Sequence, residues 1–188
     1  MEKARLIKGV GGLYTVKTED KTVLQCRAKG SFRKEGMRPL PGDFVSVEKQ
    51  RDGDALITAI LPRRNELIRP AGANIDRMIL VLAAEKPDPD LFLLDKMTAV
   101  AQYNGIRTIL LINKTDSNAE KAAYYRDIYQ KSGFDVYLYS AHHAADYTET
   151  AERLLCEMQN GVTFFAGASG VGKSSVIASF YPTLSEEM

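Results

Sequence analysis

The sequence predicts two architectures in series: an N-terminal all-β barrel, best matched by an OB-fold and next by an SH3-like barrel, and then an α/β domain built on a parallel sheet. Three observations lead there. Residues 1–68 hold five short β-branched or alternating runs and no helical period. From residue 77 onward, apolar runs typical of doubly buried strands alternate with amphipathic helical stretches. The last of those runs enters a glycine-rich turn that opens a helix.

The five barrel runs are Ala4–Val10, Leu13–Thr18, Val23–Ala28, Phe44–Glu48 and Leu56–Ile60. Turn chemistry separates them at Gly11-Gly12, Glu19-Asp20, Pro41-Gly42-Asp43 and Asp52-Gly53. The stretch Lys29–Leu40 is polar and basic and reads as a mobile loop. Pro62-Arg63-Arg64 and Arg69-Pro70-Ala71-Gly72 read as a linker, which sets the domains at 1–68 and 69–188.

In the second domain, strands are expected at Arg77–Ala84, Arg107–Ile112, Asp135–Tyr139 and Val162–Ala166. Helices are expected at Leu91–Tyr103, with Leu94, Met97, Val100 and Ala101 at core spacing, and at Ala119–Ser132, ended by Gly133. A third spans Tyr147–Gln159, capped by Thr148 or Asp146, and a fourth opens at Lys173–Phe180 and stops at Pro182. This alternation implies right-handed crossovers and a parallel sheet.

The 188 residues are 45% hydrophobic and 26% charged, a composition that supports a packed core. No apolar run approaches the roughly 18 residues of a membrane span, and MEKARLIKG lacks the apolar centre of a signal peptide, so a cytoplasmic protein is expected. Cys26 and Cys156 are far apart without metal-ligand spacing, and are expected as free, buried thiols. The net charge of +1 conceals an asymmetry: residues 1–70 carry +6 and residues 71–188 carry −5. A basic front half suggests a polyanionic partner for the barrel.

Gly167-Ala168-Ser169-Gly170-Val171-Gly172-Lys173-Ser174 satisfies G-x-x-x-x-G-K-[ST], and Ser175 follows it into the helix. The glycines let backbone N–H groups turn inward, and with the helix dipole they form a cradle for phosphate oxygens. Lys173 would reach the β/γ-phosphates, and the Ser174 hydroxyl would ligate Mg²⁺. These are the two candidates for a direct role in phosphoryl transfer.

Asn113-Lys114-Thr115-Asp116 follows the strand ending at Ile112, at the edge where α/β sheets bind ligands. A carboxylate at Asp116 can accept from guanine N1–H and the 2-amino group together; adenine offers neither donor. A site built to bond a group rejects the analogue lacking it by about 10⁴ or more. Asn113 would tie this loop to the phosphate loop and touch the base, and Lys114 would lay its stem over the base plane. Ser140-Ala141 follow the third strand, where a backbone N–H could meet guanine O6. His142 and His143 come next and are expected to face solvent.

The base-reading segment precedes the phosphate loop, the reverse of the usual GTPase order. The arrangement resembles the circularly permuted GTPases, whose site survives because the sheet sets its geometry. The barrel together with NELIRPAGANIDRMILVLAAEKPDPD, NKTD and GASGVGKSS is similar to the RsgA (YloQ/YjeQ) family of small-ribosomal-subunit-dependent GTPases. The resemblance covers essentially the whole chain. It implies a bacterial GTPase, binding GTP or GDP with Mg²⁺, that acts late in 30S maturation and contacts rRNA through its barrel. A monomer without membrane association is expected. Arg27, Lys29, Arg33, Lys34 and Arg38 are the RNA-facing candidates.

The family also carries a switch threonine, a D-x-x-G motif and a zinc-binding module beyond the phosphate loop. Only 15 residues follow Lys173 here, none of the 188 forms D-x-x-G, and no Cys/His cluster could hold zinc. The expectation is therefore an incomplete domain of four parallel strands, with Val162–Ala166 left at an exposed edge. Two functional readings stay open: a GTPase in complete form, or a guanine-nucleotide- and RNA-binding segment without turnover. An adenine-specific ATPase is disfavoured by Asp116.

Overall fold

The structure, a computed structural model, describes residues 2–34, 36–50 and 55–181, and for Arg33 and Lys34 the backbone alone. The expected turn at Asp52-Gly53 and the helix stop at Pro182 lie outside the described residues. The chain divides into two compact units, Met1–Ile75 and Asp76–Met188.

In the first unit, strands β1 (Glu2–Val10), β2 (Leu13–Thr18), β3 (Val23–Ala28), β4 (Phe44–Lys49) and β5 (Ala55–Ile60) close a barrel in the order β1-β2-β3-β5-β4. All pairs are antiparallel except β3 with β5, where Cys26 faces Ala55 in parallel register. This connectivity is OB-like. The strands alternate as a half-buried sheet should: Ala4, Leu6, Val16, Val45, Val47 and Ile57 point inward. A bulge lies between Leu6 and Lys8, bending β1 around the barrel.

The segment expected as a mobile loop instead carries a short helix, α1 (Ser31–Lys34). It places Phe32, 6% exposed, in the barrel core with Cys26 and Ala55. One aromatic amid polar residues gives no periodicity, so pattern reading passes over it. Burial pushes the Cys26 thiol pKa up, which keeps that sulfur protonated and inert.

The expected linker is also ordered. Hairpin strands β6 (Glu66–Ile68) and β7 (Ala71–Ala73) fold back on the barrel, where the Ala73 N–H donates to the Pro41 carbonyl at 2.9 Å. Gly42, at φ 92°, lies so close that a Cβ there would collide with the Ala73 carbonyl oxygen. Arg63 forks onto the buried Asp43, with Nε to Oδ1 at 2.7 Å and Nη2 to Oδ2 at 2.8 Å. Asn65 exchanges both amide bonds with the Ile75 backbone, at 2.8 and 2.9 Å. The boundary therefore falls after Ile75, past the expected residue 68. Arginine, proline and glycine suggested a linker because the contacts that order them are long-range.

In the second unit, β8 (Arg77–Ala83), β9 (Arg107–Asn113), β10 (Asp135–Leu138) and β11 (Thr163–Ala166) form a four-stranded sheet in the order β10-β9-β8-β11. Every pair is parallel. Helices α2 (Leu91–Tyr103), α3 (Ala119–Lys131), α4 (Thr148–Met158) and α5 (Lys173–Phe180) connect or follow the strands. Ile79, Val81, Ala83, Ile109 and Leu111 pack against Leu154, Val176 and Phe180 on one face. The alternate residues Met78, Leu80, Leu82, Leu110 and Ile112 are equally buried, as a sheet covered on both faces requires. As expected, β11 is an edge strand: among the described residues it pairs with β8 alone.

Three local expectations need correction. Val100 is 50% exposed; the inward stripe of α2 is Leu94, Thr98 and Ala101, and Thr98 takes its place by returning its hydroxyl to the Asp95 carbonyl at 2.8 Å. Neither Thr148 nor Asp146 caps α4, because a 3-10 turn over Ala144–Tyr147 leads directly into it and Thr148 is already helical. Cys156 is free but exposed on α4, not buried.

Candidate functional site

Four strands end at one rim of the second unit, and the loops leaving β8, β9, β10 and β11 carry the chemistry. β11 delivers Gly167, whose φ of 144° suits glycine; a Cβ there would strike the Val81 carbonyl oxygen of β8. The loop then winds through Gly170 and Gly172, both at positive φ, and enters α5. Gly172, in the left-handed region at the helix N-cap, supplies no side-chain cap, which leaves the first N–H groups of α5 without a side-chain acceptor there. The Lys173 ammonium lies inside the loop and donates to the Gly167 and Ala168 carbonyls at 3.0 and 2.7 Å. Ser169, Ser174 and Ser175 are exposed, while Val171 is buried beneath the loop and anchors it.

β9 delivers Asn113, which is 1% exposed. Its Nδ2 donates to the Val171 carbonyl at 2.9 Å, and its Oδ1 accepts from the Ala141 N–H at 3.1 Å. One side chain thus ties the loops after β9, β10 and β11. Lys114, at φ 60°, donates from Nζ to the Gly170 carbonyl at 2.8 Å and to the Lys86 carbonyl at 2.7 Å. The Ser140 hydroxyl donates to Asp116 Oδ1 at 2.5 Å. That bond is the largest cause holding the Asp116 carboxyl below its ordinary pKa; desolvation works against it, and His142 and His143 nearby favour the charged form. The structure thus brings together Asn113, Lys114, Asp116, Ser140 and Ala141 with Gly170, Val171 and Gly172.

Beside Lys114 lies an open cavity of about 340 Å³ lined by Glu85, Lys86, Lys114, Ser117 and His142. Sequence reasoning gave no site role to Glu85, Lys86 or Ser117. It also passed over Thr115, the variable letter of the segment. Thr115 is buried, donates to the Tyr139 carbonyl at 3.0 Å and bonds the Tyr147 hydroxyl at 2.6 Å. His142 and His143 are exposed, as expected.

Ser174 offers a hard hydroxyl oxygen beside the phosphate cradle, the donor type a magnesium ion takes. Among the described residues no group of three or more His, Cys, Asp and Glu side chains could hold a metal. No zinc cluster is present among the described residues.

In the barrel, Arg27, Lys29 and Arg38 are exposed, and the side chains of Arg33 and Lys34 lie outside the described residues. Lys29 and Arg38 line a cavity of about 780 Å³ with Tyr14, Phe32 and Met37, while Arg27 stands on the outer face of β3. Among the described residues no helix is long and apolar enough to cross a membrane.

The family described as RsgA GTPase matches residues 60–188, and the RsgA N-terminal domain matches residues 3–57. The small ribosomal subunit biogenesis GTPase RsgA of Ruminiclostridium cellulolyticum is 40% identical over 181 residues, covering 94% of this chain and 58% of the relative. Its namesake in Bacillus subtilis is 35% identical over 192 residues, covering 98% of this chain and 63% of the relative. The chain thus spans less than two thirds of the curated relatives it matches. The crystal structure of YjeQ from Thermotoga maritima superposes with a TM-score of 0.78 at 27% identity, over 96% of this chain and 65% of that one. YloQ, described as a circularly permuted GTPase, superposes at 0.75 with 33% identity, over 97% of this chain and 65% of that one. With both segments matched in order and the permuted fold shared, this chain belongs to the RsgA GTPase family.

Proposed function

We propose that the chain binds GTP or GDP across loops 113–116 and 167–174, and that it belongs to a cytoplasmic GTPase serving late maturation of the small ribosomal subunit. The observation that carries this is the Asn113 side chain, bonded at once to Val171 of the phosphate loop and Ala141 of the third loop. A nucleotide laid along this rim meets guanine-type acceptors at one end and inward N–H groups at the other. Asp116, oriented by Ser140, reads N1–H and the 2-amino group; a backbone N–H of the Ser140-Ala141 element meets O6; the Lys114 stem covers the base. The backbone of Gly167, Ala168, Ser169, Gly170, Val171, Gly172, Lys173, Ser174 and Ser175 wraps the phosphates at the positive end of α5. Lys173 exchanges its two carbonyl partners for phosphate oxygens, and Ser174 would hold Mg²⁺. Bound Mg²⁺ supplies charge neutralisation at the phosphates.

Calorimetry with GDP, GTP, ADP and XDP tests the base assignment. Wild type should prefer guanine nucleotides by orders of magnitude, and Asp116→Asn should move the preference to xanthine. A variant that keeps its guanine selectivity would refute the role of Asp116.

A second reading applies to these 188 residues by themselves. They hold Lys173 and Ser174 but no D-x-x-G segment to contact a γ-phosphate, which favours binding without turnover. GTP turnover above background by this chain would reject that reading. We further propose that the barrel contacts rRNA, with Arg27, Lys29, Arg33, Lys34 and Arg38 as RNA-facing residues and the monomer as the acting species.

A further inference from the structure

We infer that the barrel has a second RNA-backbone contact surface, on the outer face of β2, β1 and β4, built by Lys17, Lys3 and Arg5 around the Phe44 ring. The register places these groups in one row. Arg5 of β1 stands opposite Lys17 of β2 and, on its other side, opposite Phe44 of β4. Lys3 lies two residues from Arg5 on the same strand, about 7 Å away on the same face. Ala4, Leu6, Val16 and Val45 point into the barrel, so Lys3, Arg5, Lys17 and Phe44 face out.

Two cations share the ring of Phe44: the Lys3 ammonium lies 4.7 Å from its centroid and the Arg5 guanidinium 4.4 Å. The aromatic ring holds both cations without neutralising them. Among the described residues none of Lys3, Arg5 and Lys17 is in an ion pair, although Glu2 and Lys49 nearby do pair with each other. These residues line a cavity of about 230 Å³ with Ile7, Thr18 and Glu19, in which Glu19 is the single acidic member.

Two cations on an aromatic ring and a third, Lys17, one strand further on, none of them ion-paired among the described residues, suit a chain of phosphates with bases between them. Phosphates take the Lys3 and Lys17 ammonium groups, and an unstacked base stacks on the Arg5 guanidinium plane, which the Phe44 ring backs, beside the exposed Ile7. An acidic peptide offers the charges without the stacking partner. This surface shares no lining residue with the cavity of Lys29 and Arg38. The inference rests on the reading that the barrel meets RNA, and it assigns a face to that contact.

Fluorescence anisotropy of labelled oligouridylate with the full 188-residue chain, over a series of KCl concentrations, tests it. The triple variant Lys3→Ala/Arg5→Ala/Lys17→Ala should lose affinity by about tenfold to a hundredfold, and its log–log salt slope should flatten by roughly 0.7 for each phosphate no longer neutralised. Lys17→Glu, a single change at an exposed position, should weaken binding in the same sense and covers the case of a misfolded triple variant, which a circular dichroism melt would reveal. Phe44→Leu should weaken binding severalfold with the slope unchanged. Wild-type affinity and slope in the folded variants, with weaker binding in Arg27→Ala/Lys29→Ala/Arg38→Ala, would overturn this surface and leave RNA binding by the barrel intact. No binding of RNA by wild type at low salt would overturn both. Competition by polyglutamate as strong as by RNA would overturn RNA as the occupant.

Discussion

Asn113 and Val171 are 58 residues apart in sequence, and the amide of the first donates to the carbonyl of the second at 2.9 Å. The Asn113 oxygen is at the same time committed to the Ala141 N–H. Loops 113–116 and 167–174 are therefore set by one buried group. Disturbing either loop disturbs the other.

Gly172→Ala tests this coupling. A Cβ at 172 would overlap Asn113 Nδ2, and the φ of 92° is strained for any side chain. Gly170→Ala meets the same kind of strain, at φ 79°, but its nearest neighbour is Pro87 Cδ at 3.8 Å. Gly170→Ala should cost about 1 kcal/mol, and Gly172→Ala more, because the clash adds to the strain. GDP affinity should fall at least tenfold further in Gly172→Ala. Thermal melts and calorimetry on both variants check the order.

Ser140→Ala should raise the Asp116 pKa toward the ordinary carboxyl value, because the deleted hydroxyl is the main cause of its depression. A carboxyl with a depressed folded-state pKa stabilises the fold above its unfolded pKa, and that contribution fades as pH falls through the folded value. Asp116 is exposed, so solvent screening keeps its share of stability small. The larger effect is on ligand: the acid limb of GDP affinity should move to higher pH in the variant. Carboxyl NMR titration and pH-dependent calorimetry read both shifts.

Arg63→Ala should destabilise the barrel unit by about 3 kcal/mol, since it strands the Asp43 carboxylate, which is fully buried. The Leu40 N–H, which donates to Asp43 Oδ2 at 2.7 Å, would compensate that charge only in part. Hydrogen bonding to Asp43 raises the Arg63 pKa above its ordinary value, so the guanidinium stays charged as pH rises. Arg63→Lys keeps the charge but loses the fork, and should recover only part of the stability. Urea denaturation of the three proteins measures it.

Tyr139→Phe should cost about 1 kcal/mol. The Tyr139 hydroxyl, in a ring that is fully buried, bonds Ser179 Oγ of α5 at 2.8 Å. Ser179 keeps its bond to the Val176 carbonyl at 2.7 Å, which limits the cost. Nucleotide affinity should change less than about threefold, because ring packing on Tyr147 and Phe180 survives. Melting temperature and GDP affinity together decide it.

The parts of the fold that were legible in the sequence are those with a strong local signature. β8 and β9 are continuous apolar runs, and the glycine-rich turn sits between a strand and a helix, so residues 77–84, 107–112 and 167–174 could be placed from composition and spacing. The β6–β7 hairpin was not legible, because Arg63, Pro70 and Gly72 look like a linker until Asp43 and Pro41, far upstream, are seen to hold them. Phe32 was missed for a related reason: its burial depends on the barrel mouth, not on its neighbours in sequence. At the site, Asn113, Lys114 and Asp116 carried a motif, whereas Thr115 owes its role to Tyr139 and Tyr147, which no spacing announces. Lys86 enters through its carbonyl, a group every residue has.

Among the described residues, β11 has β8 along one flank and no strand along the other. Backbone groups on that free flank recognise any extended ribbon, whatever its side chains.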